Sequence, residues 1–327
     1  MHDQGSDTPV FILGSPRSGT TWLGKIFDSH PRVRYIHEPE IAFPPDGVPV
    51  FTPDGDAYVD AMRDHIDRWL DRWHPRSRAK VPVFPKAYEA GWRGHPVAVH
   101  LGRSAYHALE RGLGAGRFWP GVADTRAGVP VIKGVNLLGR VPAILAAYPE
   151  ARIVHLVRHP GGQVASMLRR KGGGTGKRVA VSALPTSRSA HDHGLTQPYL
   201  DGCSDVARAA WHWLCFNEDV LALADSRIRS FAYDEMVTAP KAMLEAVFAF
   251  AGLDFSPQTH AFLERLRTGE HTDSRYSLSR DPHTALNRWR QELAPAEQAV
   301  IRDIVQSSRL VSTFGFDGWR SAGGDRS

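Results

Sequence analysis

The chain has 327 residues, of which 42% are hydrophobic and 23% are charged. This composition supplies enough apolar side chains for a sizeable core and excludes a wholly disordered chain. The formal net charge is +5, a mild positive excess that favours an anionic partner without identifying it.

Two features of the sequence predict its compartment. No apolar run reaches the roughly 18 residues of a transmembrane helix, and the first nine residues, MHDQGSDTP, lack the basic start and apolar stretch of a signal peptide. Cys203 and Cys215 lie twelve residues apart in a helical-looking stretch, where a disulfide cannot close. We therefore expect a cytoplasmic protein with no integral membrane segment and no cysteine-rich zinc module.

Strand and helix patterns alternate along the chain. The predicted strands are short apolar or alternating runs: Val10–Gly14, Val33–His37, Val129–Lys133, Ile153–Val157 and Arg227–Ala232. The predicted helices are Thr20–Ser29, Asp56–Trp73, Arg140–Tyr148, Pro160–Lys171 and Lys241–Gly252. This alternation predicts the α/β class, with a P-loop-like central parallel sheet covered by helices on both faces.

Two segments interrupt the alternation within what we expect to be a single domain over residues 1–327. Residues 44–128 form an insertion rich in proline, arginine and tryptophan, whose tryptophans we expect mostly to serve packing. Residues 172–202 begin GGGTG and continue with serine, histidine and glycine, which predicts a flexible loop. Insertions of this kind on an α/β sheet are expected to form the walls of an acceptor pocket.

The turn after the first strand has the layout of a phosphate-binding loop. In VFILGSPRSGTTWL, Gly14 and Gly19 have the G-x-x-x-x-G spacing. Backbone N–H groups in such a turn converge on an anion, and the dipole of the following helix favours negative charge there. Thr20 stands where a nucleoside triphosphatase has lysine. One cation and three hydroxyls surround Gly19, which favours phosphate binding over a purely structural turn: Arg17, Ser18, Thr20 and Thr21.

The segment PRSGTTWL resembles the 5′-phosphosulfate loop of sulfotransferases that use 3′-phosphoadenosine 5′-phosphosulfate (PAPS). The resemblance implies that Arg17 contacts the phosphosulfate bridge and that the residues from Ser18 to Thr21 wrap the 5′-phosphate. It also implies that Trp22 lies beside the adenine, although a tryptophan on the first helix is as readily explained by core packing.

A second segment, IVHLVRHPGGQVASMLRR, resembles the 3′-phosphate segment of the same family. The resemblance implies that Arg158 and Ser166, eight residues apart, grip that phosphate. The physical pattern agrees, because Arg158 leaves a strand at the carboxyl edge where open α/β sheets bind ligands. Ser166 lies about two turns into the next helix, within reach of the same anion.

The remaining resemblances are weaker. FAYDE resembles a strand end whose tyrosine lies near the adenine, which makes Tyr233 a candidate against a role in strand-edge packing. The Arg-Lys-Gly run of many eukaryotic relatives is replaced here by residues 282–284, Pro-His-Thr. Arg288 or Arg290 then becomes the candidate substitute for that phosphate contact.

Candidates for the base and for leaving-group stabilisation follow from two strand ends. YIHEPE resembles the HEP segment of bacterial members, which implies that Glu38 deprotonates the acceptor, with His37 as the second candidate base. The Lys-Thr-His segment of cytosolic eukaryotic enzymes is here Lys133-Gly134-Val135, so a histidine base is lost there. Arg17 is the expected partner of the leaving oxygen, and Lys133 can assist it. We expect no metal, and read His191 and His193 as loop residues.

The resemblance covers most of the chain and implies a bacterial-type sulfotransferase. We expect it to move a sulfuryl group from PAPS to a hydroxyl, or less readily an amine, of a small-molecule, carbohydrate or lipid acceptor, leaving the product PAP; no nucleic-acid partner is expected. Two alternatives stay open: a P-loop kinase or NTPase, and a non-catalytic anion-binding protein. The missing lysine after Gly19 opposes the first alternative, as does Arg158, which stands where a Walker-B strand offers a carboxylate. The presence of two separate segments that resemble phosphate-binding sites opposes the second alternative, a non-catalytic anion-binding protein.

Overall fold

A computed structural model of the chain describes residues 8–72, 74–78, 82–88, 127–169, 179–268 and 286–316. Within these residues five parallel strands form one sheet in the order β2-β3-β1-β4-β5. The strands are β1 Val10–Leu13, β2 Val33–His37, β3 Val129–Gly134, β4 Arg152–Val157 and β5 Ile228–Ala232. All five predicted strands are confirmed, each to within one residue at either end.

The helices of the described residues agree with the predicted alternation. The first seven are α1 Thr20–Asp28, α2 Pro39–Ala42, α3 Val59–Asp71, α4 Pro75–Arg78, α5 Val141–Ala147, α6 Pro160–Arg169 and α7 Arg188–Asp192. The others are α8 Gln197–Gly202, α9 Asp205–Leu221, α10 Tyr233–Thr238, α11 Pro240–Phe250, α12 Pro257–Thr268, α13 Trp289–Glu292, α14 Pro295–Val305 and α15 Arg309–Thr313. None of the helices described is long and apolar enough to cross a membrane.

The sheet is covered on both faces, as predicted. Successive residues of a strand point to opposite faces, and here Phe11 and Leu13 enter one core while Val10 and Ile12 enter the other. The first core also takes residues of α3, α5, α6, α9 and α14, and the second takes residues of α1, α11 and α12. Burial on both sides explains why β1 reads as an unbroken apolar run.

The described part of the insertion packs onto this frame. Helix α3, with a 3-10 turn at Asp56–Tyr58 before it, confirms most of the helix predicted at Asp56–Trp73. Its Trp69 is 0% exposed, and the indole Nε1 donates a hydrogen bond to the backbone oxygen of Phe43 at 2.9 Å. Trp69 therefore serves packing, as expected. Trp73, Trp92 and Trp119 lie outside the described residues.

Residues 179–202 differ from the flexible loop predicted at 172–202. A 3-10 turn at Leu184–Thr186 and helices α7 and α8 occupy most of this stretch, while residues 172–178 lie outside the described part. The Ser187 and Thr196 side chains cap the two helices by accepting hydrogen bonds from backbone N–H groups. Leu184 and Leu200 are buried in the core. Capping and these apolar anchors outweigh the loop-like composition.

Replacing Trp69 with alanine is expected to lower the free energy of unfolding by about 3–5 kcal/mol, because a large buried side chain is removed. Chemical denaturation measures this change. Arg63→Ala, at an exposed position of the same helix, is the matched control and should change stability by no more than about 0.5 kcal/mol. Equal stability of the two variants would show that α3 is not docked through Trp69.

Candidate active site

The sequence-predicted site residues gather at one edge of the sheet. The carboxyl ends of parallel strands meet at the same edge, and each of the five strands has a candidate residue near or shortly after its carboxyl end. The register pairs His37 with Lys133 in β2 and β3, and Val157 with Ala232 in β4 and β5. Arg158 and Tyr233 therefore leave neighbouring strands side by side. The arrangement is that of a ligand site in an open α/β sheet.

The loop between β1 and α1 depends on glycine at two places. Gly19 has φ 99°, a left-handed conformation that glycine adopts without strain. A Cβ at Gly19 would lie 2.3 Å from the Tyr233 ring, and one at Gly14 would lie 2.4 Å from the Ser18 hydroxyl oxygen. The Tyr233 ring and the Ser18 hydroxyl thus pack so closely against these two positions that only glycine fits there. Thr20 then begins α1, whose first N–H groups have no partner within the helix.

The two predicted phosphate segments contact each other directly. Arg17 Nε donates a hydrogen bond to Ser166 Oγ at 2.9 Å, across 149 residues of sequence. Arg158 Nη1 donates to the backbone oxygen of Arg17 at 3.3 Å. The structure therefore brings Arg17, Arg158 and Ser166 into one site, where two guanidinium groups and a hydroxyl concentrate positive charge and hydrogen-bond donors.

Two buried donors, one on each of the predicted phosphate segments, have no hydrogen-bond partner among the described residues. They are Ser18 Oγ and Arg158 Nε. A buried donor without a partner costs about 1–3 kcal/mol, so the two favour a ligand that accepts hydrogen bonds. An anionic, phosphate-bearing ligand supplies such acceptors.

Tyr233 packs over the loop and against both neighbouring candidates. The Arg158 guanidinium carbon lies 5.2 Å from the centre of the Tyr233 ring, within cation–π range. Trp22 meets the same ring edge-on, with 6.0 Å between the centroids. Burial raises the pKa of Tyr233 above its usual value, which keeps the phenol neutral. Trp22 is a buried core residue, so in this structure its indole packs under Tyr233 and presents no open face to an adenine.

The C-terminal candidate Arg290 lies on the Arg158 side of the site. The His159 ring stacks on Trp289 with 4.6 Å between the centroids, and the Arg290 guanidinium carbon lies 4.6 Å from the Trp289 ring. Burial, with the charges of Arg290 and Arg158, lowers the pKa of His159 to about 3. His159 is consequently neutral at physiological pH, and the charges of both arginines act on it.

Arg288, the alternative substitute, points to a different partner. Its Nε forms an ion pair with Glu292 at 2.6 Å, and the same carboxylate pairs with Arg169 at the end of α6. Of the two candidates, Arg290 is thus the better placed for an anion beside Arg158. Residues 282–284, which replace the Arg-Lys-Gly run, lie outside the described part of the chain.

Glu38 and Lys133 form an ion pair at the ends of β2 and β3. The Lys133 ammonium contacts Glu38 Oε1, and the Lys133 side chain is 0% exposed against 22% for Glu38. Burial lowers the pKa of Lys133, while Glu38 and Glu40 oppose this shift and Arg17 adds to it. The charges of Arg17 and Glu38 therefore both act on Lys133. Lys133 thus links the phosphate loop electrostatically to the predicted base.

His37 lies behind this pair. Its Nε2 is 3.8 Å from Glu38 Oε1, and its Nδ1 shares a 2.9 Å hydrogen bond with the Tyr35 hydroxyl. His37 is buried, so Glu38 is the more exposed of the two candidate bases. Glu38 also has φ 45°, a left-handed conformation that is uncommon for a residue with a side chain. That strained turn directs the carboxylate toward Lys133.

Two polar features were missed by sequence reasoning. Glu40 is a buried carboxylate that accepts hydrogen bonds from the backbone N–H groups of Val135 and Asn136 at 2.9 and 3.4 Å. Beneath the phosphate loop, His155 Nε2 lies 2.9 Å from Asn217 Oδ1, and Asn217 Nδ2 donates to Ser15 Oγ at 3.4 Å. Burial lowers the pKa of His155 to about 4, so this histidine supports the loop in its neutral form.

The described residues contain no group of three or more His, Cys, Asp or Glu side chains arranged to hold a metal ion. His193, read from the sequence as a loop residue, pairs through Nε2 with Glu218 Oε2 at 3.0 Å. Both described cysteines, Cys203 and Cys215, are free thiols. They lie at the end of α8 and within α9.

Comparison with known proteins gives one family. Residues 9–257 match a family model described as "Sulfotransferase family". Among curated proteins, mouse carbohydrate sulfotransferase 5 is 24% identical over 335 residues, which cover 92% of this chain and 79% of that protein.

Two solved structures are among those that are similar to this chain. The sulfotransferase domain of the olefin synthase from Synechococcus PCC 7002 is 19% identical, with a TM-score of 0.49 over 96% of this chain and 97% of that one. A mouse sulfotransferase in complex with PAP is 13% identical, with a TM-score of 0.44 over 95% of this chain and 89% of that one.

Replacing Gly19 with alanine is expected to weaken binding of PAP by at least about tenfold, equivalent to about 1.4 kcal/mol. The added methyl group would displace the Tyr233 ring and strain a left-handed residue. Isothermal titration calorimetry measures the dissociation constant. Gly47→Ala is the matched control, because Gly47 has φ 80° but open space around it. Equal affinity of the two variants for PAP would refute the requirement for glycine at position 19 in the predicted phosphate loop.

Proposed function

Because the chain belongs to the sulfotransferase family, we propose that it transfers a sulfuryl group from PAPS to an acceptor hydroxyl and releases PAP. The observation that supports this best is the contact among Arg17, Arg158 and Ser166 beside the glycine-containing loop between β1 and α1. A nucleotide with phosphates at both its 5′ and 3′ positions needs two anion sites close together. The contact between the two segments that are predicted to supply these sites supports the proposal.

In this proposal the loop from Ser18 to Thr21 holds the 5′-phosphate and Arg158 with Ser166 holds the 3′-phosphate. The unpartnered buried donors Ser18 Oγ and Arg158 Nε support this division, because each lies on one of the two segments. Arg290 adds positive charge on the Arg158 side. Tyr233 lies between the segments and offers a ring surface near the adenosine.

Transfer then depends on positioning and fixed charge. The acceptor oxygen attacks sulfur as its proton passes to Glu38, and the bond between sulfur and the bridging phosphate oxygen breaks. Arg17 stabilises the charge that develops on the departing phosphate of PAP, together with backbone N–H groups at the start of α1. Lys133 lies close enough to Glu38 and Arg17 to act on both. No step requires a metal ion.

Glu38 is the proposed base. Its carboxylate is partly exposed at the carboxyl edge of the sheet, whereas His37 behind it is buried. The ion pair with Lys133 fixes the direction of the Glu38 carboxylate. His37, 3.8 Å away, is placed to orient the same carboxylate.

The acceptor is proposed to be a carbohydrate, lipid or other small-molecule hydroxyl, with an amine less favoured. The name of the mouse relative, a carbohydrate sulfotransferase, supports testing sugars first. We also propose that the insertion at 44–128 and the segment at 172–202 wall the acceptor pocket within one domain. The two free thiols are consistent with the proposed location in the reducing cytoplasm.

Replacing Glu38 with glutamine is expected to lower kcat by about 10²–10⁴-fold, the usual contribution of a positioned base. Binding of PAP should stay unchanged, since the carboxylate is not part of the phosphate grips. Transfer of labelled sulfate from PAPS to a panel of sugar, lipid and phenol acceptors gives kcat, and calorimetry gives the affinity for PAP.

Arg158→Ala is the complementary variant and should weaken PAP binding by about tenfold or more, as expected for the loss of a charged hydrogen bond. Normal turnover in the Glu38→Gln variant would falsify the assignment of the base. Undiminished affinity in the Arg158→Ala variant would remove the 3′-phosphate site. A wild-type protein that bound ATP with Mg²⁺ but not PAP would favour a kinase instead.

A further inference from the structure

Glu40 is a buried acid two residues after the proposed base. Its side chain lies in α2 and the residue is 5% exposed. One carboxylate oxygen, Oε1, accepts the hydrogen bonds from Val135 and Asn136. The other, Oε2, is buried with no hydrogen-bond partner among the described residues. A buried carboxylate held only on one side is costly, so its presence beside the site calls for a reason.

The position of Glu40 ties together the two chain segments that carry Glu38 and Lys133. Glu38 N donates to the Lys133 backbone oxygen at 2.6 Å, which joins the segments before Glu40. The Glu40 carboxylate then joins them again two residues beyond Lys133, at Val135. Between these contacts lies Gly134, where a Cβ would come within 3.2 Å of Glu40 Oε1. Lys133 is thus fixed from both sides along the chain.

Glu40 is also linked to Lys133 through its charge. The charged groups that act on Glu40 or Lys133 are Glu38, Arg140 and Arg17. Burial lowers the pKa of Lys133, and Glu40 is one of two carboxylates that raise it again. Glu40 likewise offsets the burial of Arg140, whose guanidinium donates to the backbone oxygens of Val48 and Asn136. Burial raises the pKa of Glu40 itself, and the hydrogen bond from Val135 and the charge of Lys133 oppose that rise. Glu40 and Lys133 therefore stabilise each other's charged forms, and Glu40 also stabilises the charge of Arg140.

We propose that Glu40 is a positioning residue for the sulfuryl transfer, which holds Lys133 in place and keeps its ammonium protonated while Glu38 changes charge. The inference rests on the proposed role of Glu38 as base. When Glu38 accepts the acceptor's proton, Lys133 loses the negative charge of its ion-pair partner. A fully buried ammonium without a counter-charge is strongly disfavoured, and Glu40 is the second carboxylate whose charge acts on Lys133.

The test compares Glu40→Gln with the wild type and with Glu245→Gln, a matched change at an exposed position. Glutamine keeps an oxygen that accepts the backbone hydrogen bonds but removes the charge. The titration of Lys133 is followed by ¹³C NMR of lysine labelled at Cε, with its signal assigned by its loss in Lys133→Met. Removal of a nearby negative charge disfavours the ammonium, so the titration of Lys133 should move to lower pH by about one unit.

Turnover provides the functional readout. With Lys133 deprotonating earlier, the alkaline limb of the kcat profile should move to lower pH in Glu40→Gln by the same amount. The KM for PAPS and the affinity for PAP should stay at wild-type values, because the phosphate grips are untouched. Glu245→Gln should match the wild type in every measurement.

The inference is overturned if the Lys133 titration in Glu40→Gln coincides with that of the wild type. It is also overturned if turnover falls equally at all pH values together with PAP affinity, because that result marks a purely structural role. A protein that transfers no sulfate from PAPS would contradict the proposed function. The NMR titration, which needs no acceptor, would still decide whether Glu40 holds the charge on Lys133.

Discussion

The contact between Arg17 and Ser166 is the constraint on which the site depends. It joins two loops that lie 149 residues apart in sequence, and it exists because β1 and β4 are neighbours in a parallel sheet. Parallel pairing forces the loops after the two strands to the same edge. Each loop brings its own cation and hydroxyl there, so the two segments proposed to bind phosphate lie in contact.

A cluster of buried and partly buried charges extends from this contact to the ends of β2 and β3. Lys133 pairs with Glu38, and the charge of Glu40 also favours the protonated forms of Lys133 and Arg140. Arg17 is a like charge that disfavours the protonated form of Lys133, and Glu38 likewise disfavours the ionised form of Glu40. Burying a charge is expensive unless it is paired and hydrogen-bonded, so the two carboxylates are what offset the burial of Lys133. In the proposed reaction Glu38 takes up a proton and a phosphate anion develops beside Arg17, which changes the balance of charge around Lys133.

Much of the fold could be predicted from the sequence because its signals are local. Short apolar runs identified the strands, and the spacing of Gly14 and Gly19 identified a loop whose glycines the structure shows to be sterically required. The segment at 172–202 was expected to be a flexible loop, because serine, histidine and glycine outweighed Leu184 and Leu200 in the composition, whereas its described part contains two helices. The N-caps Ser187 and Thr196 were the available signal for helices there.

Site residues that belong to a recognisable motif could be predicted from the sequence. Residues whose role depends on the burial of their side chains could not. Arg17, Arg158 and Ser166 were expected together and lie together. Glu40 and His155 gave no such signal, because a charged or polar letter in the sequence does not show whether its side chain is enclosed. Likewise, Trp22 fits a motif yet packs in the core, where only the three-dimensional structure distinguishes stacking on a ligand from stacking on a neighbour.

A crystal structure of the protein with PAP tests the central claim most directly. The account predicts the 3′-phosphate within hydrogen-bond distance of Arg158 and Ser166, about 2.7–3.2 Å between heavy atoms. It places the 5′-phosphate of the same molecule against the backbone N–H groups that follow Gly19. A nucleotide bound with only one phosphate at this edge of the sheet, or bound elsewhere on the molecule, would contradict it.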